Sequence, residues 1–177
     1  MACCKPRIRL TAKPGDLLVG LAGLGRDNRV VYVALVEEKL TFREYWHDRR
    51  FLPKRPDMNA SAIVKRCGDN IYKPGGPGSF RQLPSGHSYG LEENLANKEH
   101  DLGGRFVLTS AKFSYFGADA IPLPDRFGSL IVGRAHRCLF SEEIVAEVDA
   151  WRKSLPRGVQ NRPTKWPKGD ASWRERP

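Results

Sequence analysis

Residues 13–40 read KPGDLLVGLAGLGRDNRVVYVALVEEKL, and this stretch decides the fold. Lys13-Pro14-Gly15-Asp16 is a turn signal, because proline presets one backbone angle and glycine supplies the conformation that must follow. Leu17-Leu18-Val19-Gly20 then reads as a buried strand, and Gly23, Gly25, Asp27 and Asn28 as a flexible turn. The β-branched and aromatic run within Arg29 to Leu40 reads as a second strand, too apolar for a sheet with one wet face. The two strands are expected to pair antiparallel through the core.

Working outward, Thr41 is placed as an N-cap, with Phe42, Tyr45 and Trp46 on one face of a short helix. Residues 57–104 are turn-rich, and a long irregular stretch of this kind is where function concentrates. Arg105 to Ser110 and Lys112 to Phe116 read as strands, forming either a hairpin or one bulged strand, and Leu130-Ile131-Val132 as a further short strand. Ser141 caps an amphipathic helix that Pro156 stops, with Glu142 and Glu143 placed favourably in its first turn. The expectation is one compact, strand-rich α+β domain over residues 1–156, a barrel or a curled antiparallel sheet with short flanking helices, and a basic tail over 157–177.

The 177-residue chain carries 30 Lys and Arg against 20 Asp and Glu, a net charge of +10. Such a field concentrates polyanions, so nucleic acid is the expected partner, although surplus charge also serves solubility. Between Arg152 and Pro177 eight basic residues face two acidic ones, which places six of the ten net charges there, with Trp166 and Trp173 among them. That tail can neutralise phosphates and stack bases, pin itself to the domain, or tether a protein partner. Four cysteines without a CxxC pair, no apolar leader and no run of about 18 apolar residues point to a soluble cytoplasmic protein without membrane contact.

Six segments, taken together and in order, resemble the nucleotide modification associated domain 2 family. They are Cys3-Cys4-Lys5-Pro6-Arg7-Ile8-Arg9, Ala12-Lys13-Pro14-Gly15-Asp16, Tyr45-Trp46, Gly68-Asp69-Asn70-Ile71-Tyr72, His87-Ser88 and Phe113-Ser114-Tyr115-Phe116-Gly117. The likeness covers about residues 2 to 135 and implies a role around nucleotides or modified DNA, in gene neighbourhoods of base modification and phage defence. Family members usually carry a strand before the Cys-Lys-Pro motif, where this sequence has only Met1 and a few residues, so a shortened start or a lost edge strand is expected. The order of turn, strand, glycine-rich loop and long strand is also similar to small PUA-like barrels of the ASCH and EVE groups, which hold a nucleotide or flipped base.

The candidate chemistry follows from residue types. Lys5, Arg7 and Arg9 would lie on one side of an extended segment and grip phosphates, or form a solvated basic edge; Lys13, Arg162, Lys165 and Lys168 join them as phosphate ligands. Gly68, Asp69, Asn70 and Tyr72 suit a nucleobase pocket, or equally an Asx turn whose apolar residues enter the core. Tyr45 and Trp46 are aromatic walls or core, and His87 is a hydrogen-bonding or proton-carrying loop residue. Asp16, Asp69, His87 and Asp101 are the acid–base candidates, with no spacing that shows convergence. His47, His100, His136 and Cys138 fall in no metal-ligand pattern, and Gly75-Gly76-Pro77-Gly78 lacks the Lys-Ser/Thr ending of a P-loop, so neither metal nor cofactor is expected. Three functions are open: a module that binds a modified base, an enzyme using His and Asp, or a structural subunit of a modification or defence complex.

Overall fold

The computed structural model describes residues 1–133, 136–167 and 174. In chain order the regular elements are α1 (Pro6–Thr11), β1 (Leu17–Leu21), β2 (Val30–Leu35), β3 (Glu38–Thr41), α2 (Phe42–His47), α3 (Ile63–Arg66) and β4 (Tyr72–Pro74). They continue with β5 (Phe80–Gln82), α4 (Leu95–Leu102), β6 (Phe106–Thr109), β7 (Phe113–Tyr115), α5 (Glu142–Ser154) and β8 (Gly158–Val159). This is an α+β chain with short helices, as expected. Its described sheets have orders β1-β2-β7-β8, β3-β6 and β4-β5, and none closes into the PUA-like barrel that the strand order suggested.

The elements sort into two units. Among the described residues, one comprises Met1–Ala12 and Glu38–Thr109, and the other Lys13–Glu37 and Ser110–Pro167. In the second unit β1 and β2 pair antiparallel in the register Leu17↔Leu35 to Gly20↔Tyr32, as the turn and the two apolar runs require. β7 lies antiparallel on the other edge of β2, and β8 adds to β7 in parallel. Val30, Val33, Val36, Phe116, Phe127 and Val148 are buried there. Helix α5 starts at Ser141, whose hydroxyl accepts from the Ile144 amide, again as expected. The stretch read as a basic tail, stacking bases or pinned to the domain, contributes β8 and a buried Trp166, while Lys168 and Trp173 lie outside the described residues.

Three strand expectations change. The run from Arg29 to Leu40 is not one strand, since it breaks at Val36 and Glu37 and β3 pairs with β6 rather than continuing in the first sheet. Glu37 holds the break: its carboxylate accepts from the Ala111 amide at 2.6 Å and pairs with Lys112 at 2.9 Å. Correspondingly β6 and β7 form neither a hairpin nor one bulged strand, because each pairs with a different earlier strand. Strand propensity reports a pleated, half-buried surface and carries no record of the partner. Leu130 ends a 3₁₀ stretch and no strand follows it at Ile131-Val132.

The first unit is built around Ala2, Phe42, Tyr45, Ile71, Tyr72 and Val107, with Cys3, Leu40, Phe51 and Phe80 packed against them. Helix α2 brings Phe42 and Tyr45 into this core and is held by a capping box. Thr41 Oγ1 accepts from the Glu44 amide, and the Glu44 carboxylate accepts from the Thr41 amide at 2.7 Å. The N-terminal segment is helical from Pro6 rather than extended, for proline at the first helical position is already shaped for a helix. Helix geometry then sets Arg7 and Arg9 on opposite sides: Arg7 is exposed and Arg9 fully buried.

Candidate functional site

Two carboxylate centres organise the first unit, one half-buried at Asp69 and one buried at Asp101. At the first, Asp69 Oδ1 accepts from the Tyr45 hydroxyl at 2.7 Å and Oδ2 from the Ala2 amide at 3.0 Å, with the Met1 ammonium 3.7 Å away. Partial burial would raise this carboxyl, but the ammonium, the Tyr45 hydroxyl and the Ala2 amide outweigh it and hold it below the usual range. Gly68 is needed for space, since a Cβ there would stand 2.0 Å from the Lys54 carbonyl oxygen. Asn70 is buried and spends its side-chain amide on the carbonyls of Tyr45 and Phe51. Tyr45 and Tyr72 are 3% and 1% exposed. Tyr45 packs tilted against Phe51 and Tyr72 meets Phe42 edge to face within the core, so neither offers a face to a base.

The second centre is Asp101, on α4 and 1% exposed. Its Oδ1 accepts from the Cys4 amide at 2.5 Å, and its Oδ2 accepts from the Tyr72 hydroxyl at 2.7 Å and lies 3.0 Å from His87 Nδ1. His87 Nδ1 faces the carboxylate, which leaves Nε2 directed away from it. His87 is 32% exposed at its side chain, so its ring joins the buried carboxylate to the surface. The loop that carries it is tied down: the Gln82 amide donates to the His87 carbonyl and to the Tyr72 hydroxyl, and Asn97 donates to the same carbonyl. Beneath lies Arg9, which gives its guanidinium to the carbonyls of Cys4, Asp101 and Phe106. The Cys3 sulfur, a His87 ring nitrogen and an Asp101 oxygen fall within 4.8 Å of one another. Burial first, then the charges of Asp101 and Asp69, push the Cys3 thiol well above its ordinary range, and burial with the Asp101 hydrogen bond does the same to Tyr72. Such a cluster can hold a proton on a carboxylate-oriented imidazole, or present nitrogen, oxygen and sulfur to a cation.

The family model for nucleotide modification associated domain 2 matches residues 1–170. The chain belongs to that family. No curated protein and no solved structure matches it. The match runs past residue 135, the limit drawn from the motifs, and takes in α5 and β8 of this nucleotide modification associated domain.

Within the domain, the acid–base candidates separate. Asp69, His87 and Asp101 belong to the first unit, where His87 and Asp101 touch, whereas Asp16 belongs to the second and accepts from the Lys13 amide in its own turn. Trp46 is half-buried, with the Arg55 guanidinium 3.8 Å from its ring centroid. Of the proposed phosphate ligands, Lys5, Arg7, Lys13 and Lys165 are exposed, Arg162 is half-buried, and Lys168 lies outside the described residues. Arg9 is the exception, committed to the interior. A shallow apolar groove of about 350 Å³ in the second unit, lined by Leu17, Leu35, Phe140 and Val145, contains none of these residues. Cys3, Gln82 and Tyr89 were not singled out as site residues. Tyr89 is 68% exposed on a tight turn two residues beyond His87, where Gly90 takes a positive φ and the Tyr89 and Glu92 amides and carbonyls bond reciprocally. A tyrosine between serine and glycine in a polar loop was the available signal. No described helix is long and apolar enough to cross a membrane.

Proposed function

We propose that this domain binds nucleic acid, DNA in preference to RNA, in a base-modification or defence setting, and that the His87 corner of its first unit meets the base. The observation that carries the reading is the contact between partly exposed His87 and buried Asp101, in a member of a family tied by name to nucleotide modification. Tyr89 stands exposed beside it as a stacking platform, and Lys5 and Arg7 are free on the surface to meet phosphates. This moves the base site away from Tyr45, Asn70 and Tyr72, whose polar groups are spent inside the unit.

Fluorescence anisotropy with single- and double-stranded DNA and RNA, plain and modified, tests it. Affinity should fall steeply with salt, and Tyr89→Ala should weaken binding by about tenfold through lost stacking while leaving the circular dichroism unchanged. Absence of binding at low salt to every probe sinks the reading. A second reading, an enzyme with His87 as proton carrier, is favoured by the 3.0 Å contact that orients the ring; nucleoside mass spectrometry of treated DNA would show a product that His87→Ala fails to form.

A further inference from the structure

We propose that Cys3, His87 and Asp101 form a binding site for one divalent transition-metal cation, Zn²⁺ by the character of the donors. Three distant segments bring the sulfur, a ring nitrogen and a carboxylate oxygen within 4.8 Å of one another. Thiolate, imidazole and carboxylate are the donor classes zinc accepts in sites with three protein ligands and an open fourth position. The 3.0 Å between His87 Nδ1 and Asp101 Oδ2 is close to the roughly 3.3 Å that separates two ligands of a tetrahedral zinc. The pair can therefore exchange its shared proton for an ion with little movement.

The surroundings match what an ion requires. The Cys4 amide and the Tyr72 hydroxyl fix the carboxylate, while Gln82 and Asn97 hold the His87 backbone, an outer shell of the kind that orients metal ligands. Among the described residues His87 is the basic side chain paired with the Asp101 carboxylate, for Arg9 is turned onto backbone carbonyls. Cys3 lies in the field of both Asp69 and Asp101. Two carboxylates so close to the sulfur favour a cation between them. The inference rests on the His87 corner being the working site, and it takes the place of the proton-carrier reading, because an ion bound between His87 and Asp101 replaces the hydrogen bond that orients the imidazole.

The test is a Co²⁺ titration of the full-length, chelator-stripped protein without nucleic acid. A near-ultraviolet thiolate-to-cobalt band should rise to one equivalent and vanish when Zn²⁺ is added. Cys3→Ser should abolish the band and His87→Ala should weaken Co²⁺ binding by at least about tenfold, with Tyr72→Phe near tenfold. Cys67→Ser and Cys138→Ser should leave it intact. A folded wild type without the band overturns the proposal, as does a band that survives Cys3→Ser. Should Cys3→Ser not fold, His87→Ala decides, because unchanged affinity there overturns it equally. A protein that takes cobalt but no nucleic acid refutes only the function proposed above, and the reverse result refutes only the metal site.

Discussion

The Arg9 guanidinium fills the space that a side chain at Gly104 would need: a Cβ built on Gly104 would stand 2.5 Å from Arg9 Cζ. The guanidinium cannot yield cheaply, since it is held by the carbonyls of Cys4, Asp101 and Phe106. Gly104→Ala should therefore destabilise the domain by about 1–3 kcal/mol through overpacking. Arg9→Met, which strands one buried and two part-buried carbonyls, should cost about 3 kcal/mol. Urea unfolding of both variants checks this, and a Gly104→Ala protein as stable as wild type would show that Arg9 moves freely.

Asp69 ties the acid stability of the first unit to its N-terminal segment. Its carboxyl is held below the ordinary value in the folded state, so its contribution is fully present above the unfolded value of about 3.9 and is lost as pH falls through the folded one. Asp69→Asn removes that contribution. The stability gap between wild type and Asp69→Asn, read by urea unfolding, should be widest at pH 5 and above and should close as the pH drops below about 4. A gap that stays constant down to pH 2 would contradict the assignment.

Thr41 caps the short helix that carries Tyr45 to Asp69. Thr41→Ala should cost about 1 kcal/mol, which for a chain of this size lowers the melting temperature by roughly 2–4 °C. Thr41→Ser should recover most of the loss. Calorimetry that finds Thr41→Ala unchanged would mean that packing alone holds α2.

Thiol labelling separates the cysteines. Cys3 is half-buried with its thiol pushed up by burial and by Asp101 and Asp69, whereas Cys138 is exposed. In chelator-treated Cys4→Ser protein at neutral pH, iodoacetamide should modify Cys3 at least about tenfold more slowly than Cys138, because the thiolate is the reactive form. Denaturation should equalise the two rates. Equal rates in the native state would place Cys3 in a different environment.

Much of the local structure whose deciding forces are local was legible in the sequence, although the helix that starts at Pro6 was read as extended. The Pro14-Gly15 turn, the β1 and β2 pair, the Thr41 and Ser141 caps and the α5 helix all depend on backbone preference and on side chains three or four residues away. Where the outcome depended on a distant partner, sequence left it open. Nothing local separates one long strand over Arg29 to Leu40 from two strands in different sheets, because the Glu37 contacts that mark the break come from residues 111 and 112. Arg7 and Arg9 look alike as residues, yet one is exposed and the other buried, a difference set by helix phase and by carbonyls near residues 101 and 106.

The site divides in the same way. Asp69, His87 and Asp101 could be named as chemistry-bearing residues from their types, and the family from its ordered motifs. That His87 and Asp101 touch, that Cys3 joins them, and that Tyr45 and Tyr72 turn inward to hold carboxylates was decided by tertiary structure alone. The physical reason is burial: a tyrosine beside a carboxylate in the core must satisfy its hydroxyl there, whereas the same tyrosine read in sequence is equally suited to stacking on a base.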